Sequence, residues 1–181
     1  MKDILVKTVM IPLSNYVTIE ADKTLYDVFQ ILEKNKASSS RAHRDAIVVD
    51  YNGDFKGKVT MLDIFRTIEP NYKRLFKDYE DGTLTKDYVI DAVLDFQLWT
   101  EPMQSLCERG AGIKVSEIMY VPEDNEYLQE NDSLEKALHG YVMGSHEPLI
   151  VKNGDTVTGV LRFGDLFEVV KDEMLSCPLP K

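Results

Sequence analysis

The sequence predicts an α/β chain of the α+β kind, in which one β-α-β-β-α unit is written twice. Three observations predict it. "GKVTMLD" at 57–63 returns as "GVLRFGD" at 159–165, and an apolar stretch follows each time. Two further blocks return in the same order: "VKTVMIP" as "VSEIMYVP", and "TIEADKTLYDVFQIL" as "YLQENDSLEKALHGYV". The spacing is constant: Val6/Val115, Met10/Met119 and Leu25/Leu134 stand 109 residues apart, while Gly57/Gly159 and Asp63/Asp165 stand 102 apart. The difference falls in one polar loop of the first copy, "SSSRAHR" at 38–44. Ordered self-similarity of this kind marks a duplicated supersecondary unit.

Each element follows from local chemistry. Tyr16–Glu20 is an extended stretch that leads to Asp22, an N-cap residue type. Leu25, Val28, Phe29 and Leu32 then recur at helical spacing. "DAIVVD" at 45–50 is a buried strand by its β-branched run, "YNGD" a turn, and "FKGKVTM" the partner strand. A helix opens near Asp63 and runs to about Ile68, before Pro70. In the second copy Leu128 marks the strand. Asp132 is the expected cap, with Glu135 completing a capping box and a helix running to Met143. Strands at 149–152 and 157–161 flank the turn "NGDT", and a helix covers 165–175. The expected boundaries are 1–70 for the first copy, 71–112 for an insertion and 113–181 for the second copy.

The insertion carries Val89, Ala92, Val93, Phe96, Trp99, Met103 and Leu106 at intervals of three and four. This predicts an amphipathic helix, kinked at Pro102, that packs on the repeats or on a second subunit. "RGAG" at 109–112 is expected to be a flexible exit.

Composition narrows the function. The chain has 181 residues, is 44% hydrophobic and carries a net charge of -10. Nucleic-acid affinity rests on Lys and Arg neutralising phosphates, so nucleic acid and anionic membrane are poor partners for so acidic a chain. A single small phosphate ligand remains compatible, through one local Arg and a helix N-terminus. No apolar run of about 18 residues occurs, so no membrane span is expected. Asp3 and Lys7 weigh against a secretory leader. Cys107 and Cys177 have no disulfide or metal spacing, and a reducing cytoplasm is the expected location. His43, His139 and His146 are scattered, no GxxxxGK[ST] loop is present, and zinc-type ligand clusters are absent. No catalytic residue and no metal ligand is expected.

The repeated motif has two readings. Thr60 and Asp63 form a T-x-x-D capping box at a strand-to-helix turn, with the carboxylate favourable to the helix dipole. Equally, a carboxylate there can accept both hydroxyls of a ribose, and a Thr hydroxyl with free backbone N–H groups can hold a phosphate. In the second copy Arg162 stands where Thr60 stands in the first. It is a poor N-cap beside Asp165. Its planar fork suits a polyphosphate or a neighbouring acid.

Two β-α-β-β-α copies, each introduced by V-x-x-[VI]-M and closed by Gly, two apolar residues, Ser or Thr, two variable residues and Asp or Asn, resemble a pair of CBS domains, also called a Bateman module. "GKVTMLD" follows that pattern apart from Lys58, and "GVLRFGD" apart from Arg162. The resemblance is to a stand-alone pair. It implies two copies packed through their sheets into one unit with two clefts, and a homodimer. It also implies a regulatory ligand of the adenine nucleotide or adenosyl class: AMP, ADP, ATP or S-adenosylmethionine. Binding would then be passed to an effector protein. By the same resemblance the base is held at Val17–Thr18 and at Asp45–Ala46–Ile47, and in the second copy at Tyr127 and His146–Glu147–Pro148. Pro148 agrees with a proline common there, whereas Ala46 and Ile47 do not. Tyr127 either stacks on a purine or is core. Arg41, His43 and Arg44 give the 38–44 loop positive charge, so Arg41 and Arg44 join Arg162 as phosphate-contact candidates; a solvated loop is the alternative. A ligand-independent association module is the competing reading of the whole.

Overall fold

The computed structural model describes residues 3–38, 43–69, 71–72 and 93–177. After β1 (Ile11–Pro12), the first copy runs β2 (Thr18–Glu20), α1 (Leu25–Ser38), β3 (Ala46–Val49), β4 (Phe55–Val59) and α2 (Met61–Ile68). Then come α3 (Met103–Gly110) and α4 (Val115–Ile118). The second copy is β5 (Tyr127–Gln129), α5 (Leu134–Val142), β6 (Leu149–Asn153), β7 (Thr156–Leu161) and α6 (Phe163–Ser176). The β-α-β-β-α order thus occurs twice, and the fold is mixed α/β. Arg41, Val89 and Ala92 lie outside the described residues.

Two compact units form, and they do not follow chain order: one is Met1–Val17, Asn52–Phe55 and Val121–Lys181, the other Thr18–Tyr51 and Lys56–Tyr120. In the first of these the sheet order is β1-β7-β6-β5. β5 and β6 are parallel, so they require a crossover, which α5 supplies. β6 and β7 are an antiparallel pair turning at Gly154, whose φ of +62° favours glycine. β1 adds antiparallel to β7, with Ile11 opposite Val160. Leu128, Leu149, Val151 and Leu161 of the sheet meet Leu134, Ala137 and Leu166 of α5 and α6 in one buried core, joined by Val6 from the head of the chain.

The other unit is built the same way from the opposite ingredients. Its sheet is β2-β3-β4, with β2 and β3 parallel. Here the segment that precedes the second copy supplies the extra pairing: Lys58 and Tyr120 exchange both backbone hydrogen bonds, at 2.9 and 2.8 Å. The first N–H groups of a helix have no intrahelical acceptor. For α1 they find carbonyls of this segment, Leu25 N–H donating to Ile113 at 2.8 Å and Tyr26 N–H to Ala111 at 3.3 Å. The counterpart in the first-described unit is Leu134 N–H donating to Ile4 at 2.9 Å. Residues 109–112 are therefore not a flexible exit. Gly110 closes α3 in a buried position, and the next residues are tied to the start of α1.

Three local expectations are corrected. The cap of α1 is Thr24, not Asp22: Asp27 Oδ2 accepts from the Thr24 N–H and hydroxyl, both at 2.8 Å. Asp22 lies in the turn that leaves β2, before the chain enters the helix. The cap of α5 is Ser133, not Asp132, with its hydroxyl accepting from Lys136 N–H at 3.3 Å. Asp132 instead closes the preceding turn, accepting from Gln129 N–H and from Lys136 Nζ, each at 2.7 Å. Finally, the described part of the insertion is not one kinked helix. Gln97 and Trp99 take positive φ, 51° and 56°, and Pro102 stands at the N-cap of α3. Proline lacks the N–H that would continue a helix and disfavours helical geometry in the residue before it, so the helix starts afresh there. Leu98 and Leu106 are the buried apolar side chains of the described part of this stretch, while Val93 and Met103 are exposed.

Candidate functional site

The two repeated motifs sit at equivalent strand-to-helix junctions and are built differently. In the first copy β4 ends at Val59, Thr60 is extended, and α2 begins at Met61. Thr60 N–H and its hydroxyl both donate to Asp63 Oδ2, at 2.9 and 2.7 Å, and Asp63 N–H returns to Thr60 Oγ1 at 3.4 Å. The capping box is thus complete, and both residues are 8% exposed. Asp63 also anchors the helix interior: its carbonyl accepts from the Thr67 hydroxyl at 2.7 Å. The neighbouring strands gather the other first-copy candidates. Thr18 lies opposite Ile47 in the β2–β3 ladder, Val17 immediately precedes it, and Ala46 and Ile47 are fully buried. Asp45 is half-buried at the start of β3.

Arg44 is placed elsewhere. It lines a cleft of about 390 Å³ between α1 and α2 together with Lys36, Glu33, His43, Met61 and Phe65, and Thr60 and Asp63 are not in that lining. His43 is buried, and its N–H donates to Asn35 Oδ1 at 3.0 Å.

In the second copy Leu149 lies opposite Leu161, so Pro148 and Arg162 emerge at the same end of the sheet. Arg162 occupies the N-cap position of α6 and makes no capping bond. Its guanidinium forks instead onto Asp165, Nε donating to Oδ2 at 2.7 Å and a terminal N–H to Oδ1 at 2.9 Å. The side chains are 20% and 11% exposed, so water screens the pair only in part. Tyr127 lies opposite Ile150 at the start of β5. Its ring and that of Phe55 stand nearly perpendicular with centroids 6.3 Å apart, and Lys152 Nζ stands 3.3 Å from its centroid. One ring face is therefore covered by a cation. Burial, and then the Asp124 and Glu126 carboxylates, push the pKa of the phenol above its ordinary value. His146 N–H donates to Glu126 Oε1 at 3.4 Å, and the Glu147–Pro148 peptide is cis.

One residue of this junction escapes sequence reading. The Tyr141 hydroxyl donates to the Leu161 carbonyl and accepts from Leu149 N–H at 3.1 Å, which ties the end of β7 to the start of β6. Its ring lies 5.0 Å from that of Phe163. The equivalent first-copy residue is Leu32, which has no hydroxyl, so the repeat itself is the only signal and it points away from a polar role.

Among the described residues no group of three or more His, Cys, Asp or Glu could hold a metal ion, and no helix is long and apolar enough to cross a membrane.

Comparison with known proteins accounts for this layout. Residues 6–70 match the CBS domain family model. No curated protein matches the chain. Among solved structures, the CBS-pair protein CBSX2 from Arabidopsis thaliana is similar at 16% identity, with 96% of this chain and 99% of that chain covered and a TM-score of 0.62. A structure of CBSX2 in complex with AMP is similar at TM-score 0.60, covering 94% of this chain and 98% of that one at 16% identity. A CBS domain-containing protein of unknown function from Bacillus anthracis is similar at 19% identity, with 95% and 96% covered and a TM-score of 0.61. The CBS domain of a bacterial CNNM/CorC family Mg2+ transporter, in complex with ATP, is similar at 17% identity, with 94% and 89% covered and a TM-score of 0.60. Residues 6–70 are thus similar to the CBS domain family, and the chain as a whole has the fold of a CBS-domain pair.

Proposed function

We propose that the chain is a regulatory module that binds an adenine nucleotide and passes the resulting change to a partner protein. The observation that carries this reading is the Thr60–Asp63 junction. It presents a carboxylate, a hydroxyl and a helix N-terminus together, in a fold whose solved relatives include complexes with AMP and with ATP. Asp63 would take the ribose hydroxyls, Thr60 and the first N–H groups of α2 the phosphate, and Val17, Thr18, Asp45, Ala46 and Ile47 the base. Nothing in the site performs turnover; the effect is a population shift, set by the difference in ligand affinity between two states. Of the structures named above, one is a complex with AMP and one a complex with ATP.

A thermal-shift panel of AMP, ADP, ATP, S-adenosylmethionine, NAD and cyclic dinucleotides tests the reading. A ligand at a hundred times its Kd adds about 2.7 kcal/mol, which raises Tm by roughly 5–10 °C in a chain of this size. The expected result is a rise with AMP or ATP that is lost in Asp63→Ala; a flat panel refutes it.

One observation favours a second reading, association without ligand. α2 exposes Met61, Leu62 and Phe65, and α6 exposes Phe163 and Phe167, each at 42–56%. On either helix taken by itself, adjacent apolar exposure of this kind suits an interface with a second copy. Sedimentation of the ligand-free chain as a dimer, with a flat nucleotide panel, would establish that reading in place of the first.

A further inference from the structure

His43 and Arg44 end the loop by which the first copy exceeds the second, and both line the cleft of about 390 Å³ between α1 and α2. Each helix gives that cleft one stripe. Phe29, Leu32, Glu33 and Lys36 recur at helical spacing along one face of α1, and Met61, Ile64 and Phe65 do the same on α2. Ile64 is buried, whereas Phe29, Met61 and Phe65 remain exposed, so the cleft offers apolar surface to whatever enters it. The cations stand beside that surface. His43 N–H donates to Asn35 Oδ1, which ties the end of the loop to α1 and sets Arg44 next to the stripe that carries Lys36. Among the described residues of the lining, Glu33 is the one carboxylate. It stands 4.0 Å from Lys36 Nζ with both side chains well exposed, a pairing worth little. Lys36 and Arg44 set against Glu33 leave one positive charge, in a chain whose net charge is -10.

The second copy does not repeat this arrangement. At the repeat offsets Leu32 becomes Tyr141 and Met61 becomes Phe163, and those two rings stand 5.0 Å apart where the first copy has cleft lining. No Lys or Arg occurs from Ala137 to Val151, so the cationic rim belongs to the first copy alone.

We propose that the α1–α2 cleft of the first copy is a further ligand site, for a monocarboxylate with an apolar body. Arg44 and Lys36 hold the head, and the two helical stripes hold the body. A guanidinium matches a carboxylate with two parallel donors, and an ammonium adds a mobile point charge. Sites for small molecules are mostly apolar clefts of about 300–1,000 Å³ with a few convergent polar groups, which is the composition found here. One positive charge in excess suits one carboxylate. The rival occupant, a second copy of the chain on the same face, would draw Lys36 into an interface of a kind depleted in lysine. Thr60 and Asp63 are not in the lining, so the site stands apart from the nucleotide reading.

Octanoate is the probe, with acetate as a head without a body and 1-octanol as a body without a head. Isothermal titration of the full chain reads binding, ligand-free Tm reports that each variant is folded, and sedimentation reports whether a second copy covers the face. The expected result is saturable binding of octanoate, weaker binding of 1-octanol and none of acetate. Arg44→Gln should weaken octanoate by at least about tenfold, the weight of one charge-assisted hydrogen bond. Arg44→Glu should weaken it further, Lys36→Gln less because Lys36 is well exposed, and Asp63→Ala not at all. No saturable binding by the folded chain overturns the inference, and so does equal affinity for octanoate and 1-octanol. Unchanged affinity in both Arg44 variants overturns it as well. Loss of binding in folded Asp63→Ala moves the octanoate to the Thr60–Asp63 junction and overturns the assignment to the cleft. A dimer that takes up no octanoate gives the face to a second copy instead.

Discussion

The carbonyl oxygen of Ile11 stands 2.7 Å from where a side chain on Gly159 would begin, and Met10 Sδ stands 3.0 Å from the same point. Gly57 has the same relation to Tyr120, whose carbonyl lies 2.8 Å away, with Met119 Sδ at 3.3 Å. The glycine and the methionine that recur in both copies are thus two sides of one close crossing. Gly159→Ala is expected to push β1 off β7 and cost about 1–3 kcal/mol, the usual penalty of overpacking. Urea unfolding measures it; stability equal to the natural chain would show that the crossing gives way freely.

Thr60→Ala removes the cap of α2 while leaving Asp63 in place. The expected loss is about 0.5–2 kcal/mol, with Thr60→Ser close to neutral because it keeps the hydroxyl. Chemical denaturation of the three proteins checks the order.

Asp27 gives a pH-dependent test. The Thr24 N–H and hydroxyl that it accepts hold its carboxyl below the ordinary value. A folded pKa below the unfolded one, about 3.9, means the contribution is present above that pH and disappears as pH falls through the lower folded value. Asp27→Asn should therefore lower stability at neutral pH and flatten the loss below about pH 4. Unfolding curves at descending pH that run parallel for the two proteins would contradict this.

Glu69 is 3% exposed and accepts the N–H of Trp99 at 2.7 Å and of Asn71 at 3.1 Å. Trp99 is the chain's one tryptophan, and its indole N–H donates to the Tyr72 hydroxyl at 3.0 Å. Glu69→Ala leaves two backbone donors without their acceptor, at about 1–3 kcal/mol each if they stay buried. Red-shifted tryptophan emission at a denaturant concentration that leaves far-UV circular dichroism unchanged is the expected outcome.

Strands, turns and helices of both copies were legible because their signals are local: β-branched runs, Asn-Gly turns and apolar spacing of three and four. Thr60–Asp63 was legible for the same reason, since donor and acceptor are three residues apart. "TLYD" at 24–27 is the same pattern, and reading it alongside "TMLD" would have found the cap of α1. Asp22 and Asp132 misled because an aspartate suits a turn and a cap equally, and only the path of the chain separates the two uses. The insertion misled because apolar spacing continues through residues 97–102, where left-handed backbone at Gln97 and Trp99 and a proline forbid one continuous helix.

The sequence by itself determined that one unit is written twice, what its elements are and where the copies depart from each other, at Lys58 and Arg162. Only the tertiary structure decided which segment pairs with which sheet. Residues 4–12 complete the sheet and helix start of the second copy, and 111–120 do the same for the first. Hydrogen bonds between residues more than fifty positions apart leave no periodic trace, because any extended segment can satisfy an open strand edge or an unpaired helix N–H. The structure also shows Arg162 forked onto Asp165. Its fork suits a phosphate or a carboxylate equally, and Asp165 lies within reach on the first turn of the same helix.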